Sequence, residues 1–197
     1  MIKSRLASLG LRLVGWEFET PPPTPKKYVC LAVPHTSNWD GLLLVGLAEA
    51  LGIPMSFMIK REWVQGPMGP ILRRLGAIAI DRSGANNVVD QMVDELNRRD
   101  ELALVIPPEG TRKRADHWRS GFYHIARGAR VPVVPGYLDF ARKRAGFGDP
   151  IMLTGDVKAD MDKIRAFYAD VRPTAYDPSS FGPIALREES EPRSSGA

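Results

Sequence analysis

The six residues from His35 to Asp40 hold the side chains of this chain that are best suited to chemistry. They stand between an apolar run, Tyr28 to Val33, and a second apolar run that begins at Gly41. Residues five positions apart would diverge by about 140° on a regular helix. We therefore expect a bent loop, on which the carboxylate of Asp40 can orient the imidazole of His35 as a base.

The same six residues contain the signals for the start of a helix. Ser37 or Asn38 is a candidate N-cap, which puts Asp40 in the first helical turn, where the helix dipole favours its ionised form. The dipole also disfavours an imidazolium ion, so we expect His35 to act as a neutral base. A strand should therefore end near His35, with a helix beginning beside it.

Length, charge and cysteine content limit the classes of protein to consider. At 197 residues the chain is long enough for one domain with a proper core and a short appendage. The net charge of +4 leaves a phosphate-bearing substrate, an anionic membrane surface and nucleic acid open. The basic residues lack a groove-reading helix or an aromatic stacking platform, so we expect no nucleic-acid partner. A single cysteine, Cys30, and three histidines disfavour a metal site.

The first 27 residues divide into a helix and a linker. Five apolar residues recur at steps of four and three, which predicts a short amphipathic helix within residues 1–19. This helix either lies in the headgroup layer of a membrane or docks on its own domain. Residues 20–27 contain four prolines and are predicted to form a stiff linker. The five apolar residues are Ile2, Leu6, Leu9, Leu13 and Trp16.

From residue 28 onward, apolar runs of strand length alternate with helical patterns. This alternation favours an α/β domain over residues 28–172, in which a central, largely parallel sheet is flanked by helices. Residues 173–197 are rich in Pro, Ser, Gly and Glu without periodicity, so we expect a flexible tail. The predicted strands are 28–33, 55–59, 77–80, 102–106, 131–138 and a late strand 147–154, and the predicted helices are 40–51, 67–75, 86–98, 118–127 and 159–171.

A second strand-end loop, from Pro107 to Arg112, also contains charged side chains. Its prolines hold the entry to the loop extended, while Gly110 permits a turn with positive φ that brings Glu109 and Arg112 to the same side. Ligand sites in open α/β sheets lie beyond the carboxyl ends of the strands. The loops that contain His35 and Glu109 are therefore predicted to converge on one crevice.

Four blocks follow one another along the chain: His35 with Asp40, Gly76 to Arg82, Pro108 to Arg112, and Val131 to Pro135. In order and rough spacing they match the four blocks of the glycerolipid acyltransferases, a family that includes the 1-acylglycerol-3-phosphate acyltransferases of phospholipid synthesis. The chain resembles this family over about residues 28 to 140. The resemblance is specific because four motifs occur in sequence rather than one.

The resemblance implies an ester-forming reaction between a fatty acyl thioester and a lipid hydroxyl. We expect acyl-CoA or acyl carrier protein as the donor and lysophosphatidic acid, at its sn-2 hydroxyl, as the acceptor. His35 would accept the proton of the attacking alcohol, and Asp40 would hold the other ring nitrogen. Because a thioester is already activated, neither a covalent acyl-enzyme nor a cofactor is expected.

The resemblance also assigns the residues that bind the acceptor. Arg112 and Arg82 would grip its phosphate, and Lys60, which ends another predicted strand, is a weaker candidate for the same anion. Alternatively, Arg112 only pairs with Glu109, and Arg82 only pairs with its neighbour or faces solvent. Glu109 would fix the loop or an acceptor hydroxyl, Gly110 would form the turn, and Thr111 would help the anion site or cap the turn.

Location and acceptor rest on weaker signals. We expect peripheral attachment at the cytoplasmic face of a membrane, with anionic lipid as a partner. The same chemistry on another lysophospholipid, on glycerol phosphate or on a lipid-linked sugar is an alternative, and so is a non-catalytic lipid-binding protein. Basic residues after the Glu109 loop face either anionic lipid, the phosphates of CoA or only solvent. They are Lys113, Arg114, Arg119, Arg127 and Arg130.

Overall fold

A central sheet of seven strands organises the chain, in a computed structural model that describes residues 2–81 and 85–189. The order across the sheet is β1-β7-β6-β2-β5-β3-β4. Neighbouring strands run parallel except β6 and β7, which are antiparallel. The strands are β1 (Glu17–Phe18), β2 (Lys27–Val33), β3 (Met55–Lys60), β4 (Ala77–Ile80), β5 (Leu102–Ile106), β6 (Val133–Asp139) and β7 (Arg144–Phe147).

Helices cover both faces of the sheet, as parallel strands that are buried on both sides require. The helices are α1 (Ile2–Leu13), α2 (Asn38–Leu51), α3 (Arg61–Gln65), α4 (Gly69–Arg74), α5 (Ala85–Arg98), α6 (Gly121–Ala129) and α7 (Val157–Val171). Two short 3₁₀ helices follow, Pro178–Ser180 and Arg187–Glu189. No helix within residues 2–81 and 85–189 is both long enough and apolar enough to span a bilayer.

Strand β2 lies at the centre of the core because alternate residues point to opposite faces of the sheet. Val29, Leu31 and Val33 pack into the larger core, which α5, α6 and α7 cover. Cys30 and its alternate neighbours pack on the other face, against Leu44 of α2. Strands β5 and β6 lie on either side of β2. The end of β2 is therefore held firmly from both sides, and the loop after it starts from a rigid base.

These elements confirm the predicted fold class, a largely parallel sheet flanked by helices with a helix at the start of the chain. Helix α1, however, does not pack along its predicted apolar stripe. Leu9 and Leu13 are 55% and 79% exposed, whereas Leu11 is buried against Leu47 of α2. Trp16 follows the helix and is buried in the same cluster. The side chains of Ile2 and Leu6 lie outside the described residues.

One further prediction was wrong in position. The late strand expected at 147–154 is β7, which begins at Arg144, because residues 140–143 form the turn of an antiparallel hairpin between β6 and β7. Ile151 forms only an isolated bridge with Val133. Residues 173–189 of the expected flexible tail pack on the domain, with Leu186 buried in the core at 1% exposure, and the flexibility of the tail stays a prediction. The short elements β1 and α3 were not predicted, since two and five residues are too few to show periodicity.

Candidate active site

The loop after β2 is built around the buried carboxylate of Asp40. One oxygen, Oδ2, accepts hydrogen bonds from the backbone N–H groups of Thr36 at 2.7 Å and Ser37 at 2.8 Å. The other, Oδ1, accepts the Ser37 hydroxyl at 3.0 Å. The Ser37 hydroxyl in turn accepts the N–H of Trp39, so Ser37 and Asp40 form a capping box at the start of α2. This network bends the chain back on itself, as the five-residue spacing predicted.

The bend brings His35 and Asp40 together. Nδ1 of His35 lies 3.4 Å from Oδ2 of Asp40, a separation that suits an ion pair and is long for a hydrogen bond. Catalytic hydrogen bonds are often this long before substrate binds. Burial acts to raise the pKa of Asp40, but the contact with the His35 ring and the hydrogen bonds from Ser37 and Thr36 outweigh it and hold the pKa below its usual range. Asp40 is therefore an ionised partner for the imidazole.

Glu109 lies beside this pair because β5 is the parallel neighbour of β2 and both strands end at the same edge. Its Oε1 accepts the backbone N–H of His35 at 3.3 Å, and its Oε2 has no hydrogen-bond partner among the residues described. Burial raises the pKa of Glu109, and the charge of Asp40 adds to the rise, against opposing hydrogen bonds and the His35 ring. The two carboxyl groups thus have pKa values shifted in opposite directions, a pattern typical of groups with different roles.

The turn after β5 depends on Gly110. This residue has a φ of +65°, and a Cβ at this position would lie 2.8 Å from Cγ of Arg119. Its N–H donates to the carbonyl of Pro107 at 3.2 Å, which closes the turn. The hydroxyl of Thr111 accepts the N–H of Lys113 at 3.2 Å and so caps the turn. The sequence correctly predicted a glycine-dependent turn here.

Arg112 reaches from this turn across to the loop after β2. Its guanidinium donates to the side-chain oxygen of Asn38, in the first turn of α2. In the described part of the chain Arg112 forms no ion pair with Glu109, so the alternative reading of Arg112 as a mere partner of Glu109 does not hold. The sequence indicates a role for Asn38 only as a candidate helix cap. Its position between His35 and Asp40 was a signal that it would lie at the site.

Both loops open into one groove with a volume of about 1560 Å³. Its polar end contains His35, Asn38, the segment from Gly110 to Lys113, and Arg119. The rest is lined mostly by apolar side chains from α2, β3, α5 and α6. Such a groove, apolar with a few convergent polar groups at one end, is typical of a ligand site. Its volume and lining suit a large apolar substrate with a charged head.

Two further residues, Lys60 and Arg82, were predicted to bind the anion. Lys60 ends β3 at the same edge of the sheet and is exposed, but it is not among the described residues that line the groove. Arg82 lies outside the described residues. The roles of both therefore stay predictions.

Comparisons with known proteins give the chain its relatives. The model of the family described as Acyltransferase matches residues 17–139. A probable 1-acyl-sn-glycerol-3-phosphate acyltransferase of Mycoplasma pneumoniae is 31% identical over 143 residues, which are 66% of this chain. The chain spans about half, 52%, of the length of that relative.

A solved structure shares the fold. The crystal structure of the 1-acyl-sn-glycerophosphate (LPA) acyltransferase PlsC from Thermotoga maritima matches with a TM-score of 0.60 and covers 86% of this chain and 78% of that chain. The two sequences are only 14% identical over this match, so the likeness is one of fold.

Proposed function

The chain belongs to the acyltransferase family, and we propose that it moves a fatty acyl chain from acyl-CoA to the free sn-2 hydroxyl of lysophosphatidic acid. The family match spans residues 17–139, which include both loops of the site. One observation carries the proposal: a base paired with a buried carboxylate lies at the polar end of a large apolar groove, beside an arginine on the facing loop.

The chemistry needs a base at the hydroxyl and nothing covalent from the protein. Since Nδ1 of His35 faces Asp40, Nε2 is the nitrogen left for substrate. As the acceptor oxygen attacks the thioester carbonyl, its proton passes to Nε2. The carbon–sulfur bond then breaks, and the proton goes to the departing CoA thiolate. General-base catalysis of this kind contributes roughly 10² to 10⁴ in rate.

Asp40 supports the proton transfer without taking part in bond changes. Its carboxylate fixes the ring through Nδ1 and stabilises the imidazolium that forms. The hydrogen bonds of the loop keep Asp40 ionised and in place, so His35 does not have to reorient during the reaction. Glu109 holds the backbone of His35 and, through its unpartnered oxygen, is assigned to an acceptor hydroxyl.

The phosphate of the acceptor is assigned to Arg112, on the loop that faces His35. A guanidinium can hold a phosphate by two charge-assisted hydrogen bonds, and Asn38 supports this guanidinium from the other loop. Arg82 and Lys60 are proposed as further cations for the same phosphate. The acyl tail extends along the apolar part of the groove.

We propose that the protein acts at the cytoplasmic face of a membrane, to which it attaches peripherally. Leu9, Leu13 and Val14 are exposed on or just after α1, and α1 packs on α2, whose Leu42 is exposed and lines the groove. A lipid acceptor could pass from the bilayer over Leu42 into the groove. Binding to anionic vesicles that weakens for Leu13→Glu would support this placement; equal binding by both proteins would contradict it.

An acceptor panel tests the function directly. Purified protein is incubated with one of two donors, palmitoyl-CoA or palmitoyl-acyl carrier protein. The acceptors are lysophosphatidic acid, other lysophospholipids, glycerol 3-phosphate and a lipid-linked sugar. We expect the fastest transfer from palmitoyl-CoA to lysophosphatidic acid. Equal turnover of an unphosphorylated acceptor would contradict the role of Arg112, and a preference for another acceptor would replace the substrate while leaving the chemistry.

His35→Ala separates catalysis from mere lipid binding. We expect this variant to lose transfer by at least about 100-fold, because it removes the base. The matched control is His117→Ala, which removes an exposed histidine outside the groove and should behave like the wild type. Equal transfer by His35→Ala and the wild type would revive the non-catalytic alternative.

A further inference from the structure

We propose that residues 173–189, here called the C-terminal strap, position the catalytic loop through a hydrogen bond to Thr36. The proposal rests on the proposed function, because the loop it supports contains His35 and Asp40. Thr36 does not supply a group to the reaction. It acts on the reacting residues through the loop, and so it is a positioning residue.

The strap passes over the edge of the sheet where the strands that supply the site end. It starts beyond β6, where the carbonyl of Thr174 accepts the N–H of Phe140 at 2.9 Å. It next meets the loop after β2, where the N–H of Asp177 donates to the hydroxyl oxygen of Thr36 at 3.1 Å. One short segment therefore touches the chain leaving β6 and the chain leaving β2.

The strap then crosses to the chain that follows Glu109. The carbonyl of Phe181 accepts the guanidinium of Arg114 at 2.7 Å. Further on, the carbonyl of Ala185 accepts the N–H of Trp118 at 2.7 Å. Arg114 and Trp118 both lie shortly after the turn at Gly110. The strap thus connects the two loops that form the site.

The far end of the strap is anchored firmly enough to act as a brace. Leu186 is buried in the core, and Phe181 and Ile184 pack against the core. At Gly182 the backbones are in close contact, since a Cβ there would lie 2.1 Å from the carbonyl oxygen of Ala115. Arg165 of α7 binds the carbonyl of Ile184 at 3.2 Å. A segment held in this way can restrain what it touches.

Thr36 is the joint between the strap and the catalytic pair. Its N–H donates to Oδ2 of Asp40 at 2.7 Å, the same oxygen that lies 3.4 Å from the ring of His35. Its hydroxyl oxygen points the other way and accepts from Asp177. If the hydrogen bond between the strap and Thr36 is lost, the N–H of Thr36 that fixes Asp40 is free to move. The imidazole of His35 is then less well aligned.

In a second loop, within the described part of the chain, a buried aspartate is held in place without a hydrogen bond from a distant segment to its threonine. Thr154 binds the buried Asp160 with its N–H at 2.8 Å and with its own hydroxyl at 3.0 Å. In the catalytic loop Ser37 supplies the hydroxyl instead, which leaves the hydroxyl oxygen of Thr36 for the strap. The strap contact is therefore an addition specific to the catalytic loop.

The test removes the hydroxyl of Thr36 and compares three variants. Thr36→Val should lower kcat about five- to tenfold, the scale of one lost hydrogen bond. The KM values for palmitoyl-CoA and lysophosphatidic acid should stay within about twofold, as expected for an interaction that acts on the chemical step alone. Thr36→Ser keeps the oxygen and should restore kcat to within about twofold of the wild type. Thr154→Val, the matched control, should lower Tm and leave kcat unchanged.

A second variant acts on the strap rather than on the catalytic loop. The carboxylate of Asp177 accepts the N–H of Ser179 at 3.1 Å and the hydroxyl of Ser180 at 2.6 Å, which fixes the turn that presents its own N–H to Thr36. Asp177→Ala should therefore lower kcat in the same way. The double variant Thr36→Val/Asp177→Ala should be no slower than Thr36→Val, because both remove one connection.

Two outcomes would contradict the proposed role of the strap. One is a Thr36→Val enzyme with a lower Tm and the kcat of the wild type, and the other is a double variant in which the two losses multiply. A wild type that transfers no acyl group would refute the proposed function instead. Even then, hydrogen exchange tests the strap, since Thr36→Val should speed exchange of the N–H groups at positions 36 and 37 about tenfold, and unchanged exchange would contradict it.

Discussion

Two buried aspartates, Asp40 and Asp160, have closely similar surroundings but different proposed roles. Each is fully buried in the first turn of a helix and accepts backbone N–H groups from the residues just before that helix. Each has a pKa below its usual range, because hydrogen bonds outweigh the effect of burial. In each case one partner is a side chain that can carry a proton. For Asp40 this is the ring of His35, and for Asp160 it is the hydroxyl of Tyr123 at 2.8 Å.

The two partners differ in their exposure to solvent and in their location. The His35 side chain is 22% exposed and lines the groove, whereas Tyr123 is 2% exposed and lies in the core. Burial raises the pKa of Tyr123 to about 12, and the hydrogen bond to Asp160 adds to the rise, so the phenol keeps its proton. A lowered carboxyl pKa therefore does not distinguish the proposed active site by itself. In the proposed function, the accessible base beside Asp40 makes the difference.

Asp40→Asn should cause the largest change and is the sharpest way to test this contrast. The amide keeps the size of the side chain but removes the charge that holds Nδ1 of His35 and stabilises its charged form. We expect kcat to fall by about 10² to 10⁴ in the transfer of palmitate to lysophosphatidic acid. A kcat within about tenfold of the wild type would mean that His35 works without its partner and that the two aspartates differ less than their surroundings suggest.

Asp160→Asn is the matched change in the core and should leave kcat of the folded protein intact. It replaces a charged acceptor of four hydrogen bonds, so we expect a loss of about 2 kcal/mol in the free energy of unfolding and of about 4 to 8 °C in Tm. Urea unfolding and steady-state kinetics on the same preparation measure both. A loss of kcat below the melting range would contradict the division between the two aspartates.

The effect of Asp160→Asn should also depend on pH in a defined direction. A carboxyl whose pKa is lower in the folded chain stabilises the fold above its unfolded pKa of about 3.9 and loses this contribution as the pH falls through its folded value. The wild type should therefore exceed Asp160→Asn in stability at pH 7, and the gap should close below about pH 4. A gap that stays constant from pH 7 to pH 3 would show that charge at Asp160 is not its source.

Glu109→Gln should separate stability from activity with the opposite sign. The pKa of Glu109 is raised in the folded chain, so its ionised form destabilises the fold above the folded pKa, and this cost vanishes below the unfolded pKa of about 4.3. The glutamine keeps an oxygen for the N–H of His35. We expect a gain of about 1 kcal/mol at pH 7 with a roughly tenfold loss of kcat/KM. A variant that is both less stable and fully active would contradict both parts.

The sequence predicted the bend from His35 to Asp40 better than the contacts that support this loop, for a physical reason. The bend from His35 to Asp40 is a local event, because caps, N–H donors and the carboxylate all lie within six residues. The turn at Gly110 is local too. Parallel pairing of buried strands then brings the two loops together, and apolar runs predict such strands.

The supports come from long-range contacts that no local pattern contains. The bond between Asp177 and Thr36 joins residues 141 positions apart, and the strap residues are Pro-, Ser- and Glu-rich like a disordered tail. Leu186, Phe181 and Ile184 are scattered apolar residues in that composition, yet the burial of Leu186 and the packing of the other two anchor the segment. In the same way, nothing in the local sequence of Asp160 indicated that Tyr123 would be its partner.

Tyr123→Phe should produce the smallest effect and tests the same contrast from the side of the partner. It removes one donor to Asp160 and leaves three others, with the ring packing unchanged. We expect a loss of about 1 kcal/mol, or about 2 to 4 °C in Tm, and no change in kcat. In the proposed scheme, removing the partner of Asp40 lowers transfer by at least about 100-fold. If Tyr123→Phe instead lowered kcat while Tm stayed constant, the closed core loop would be linked to the chemistry, and the exposure of the partner would no longer explain the difference between the two sites.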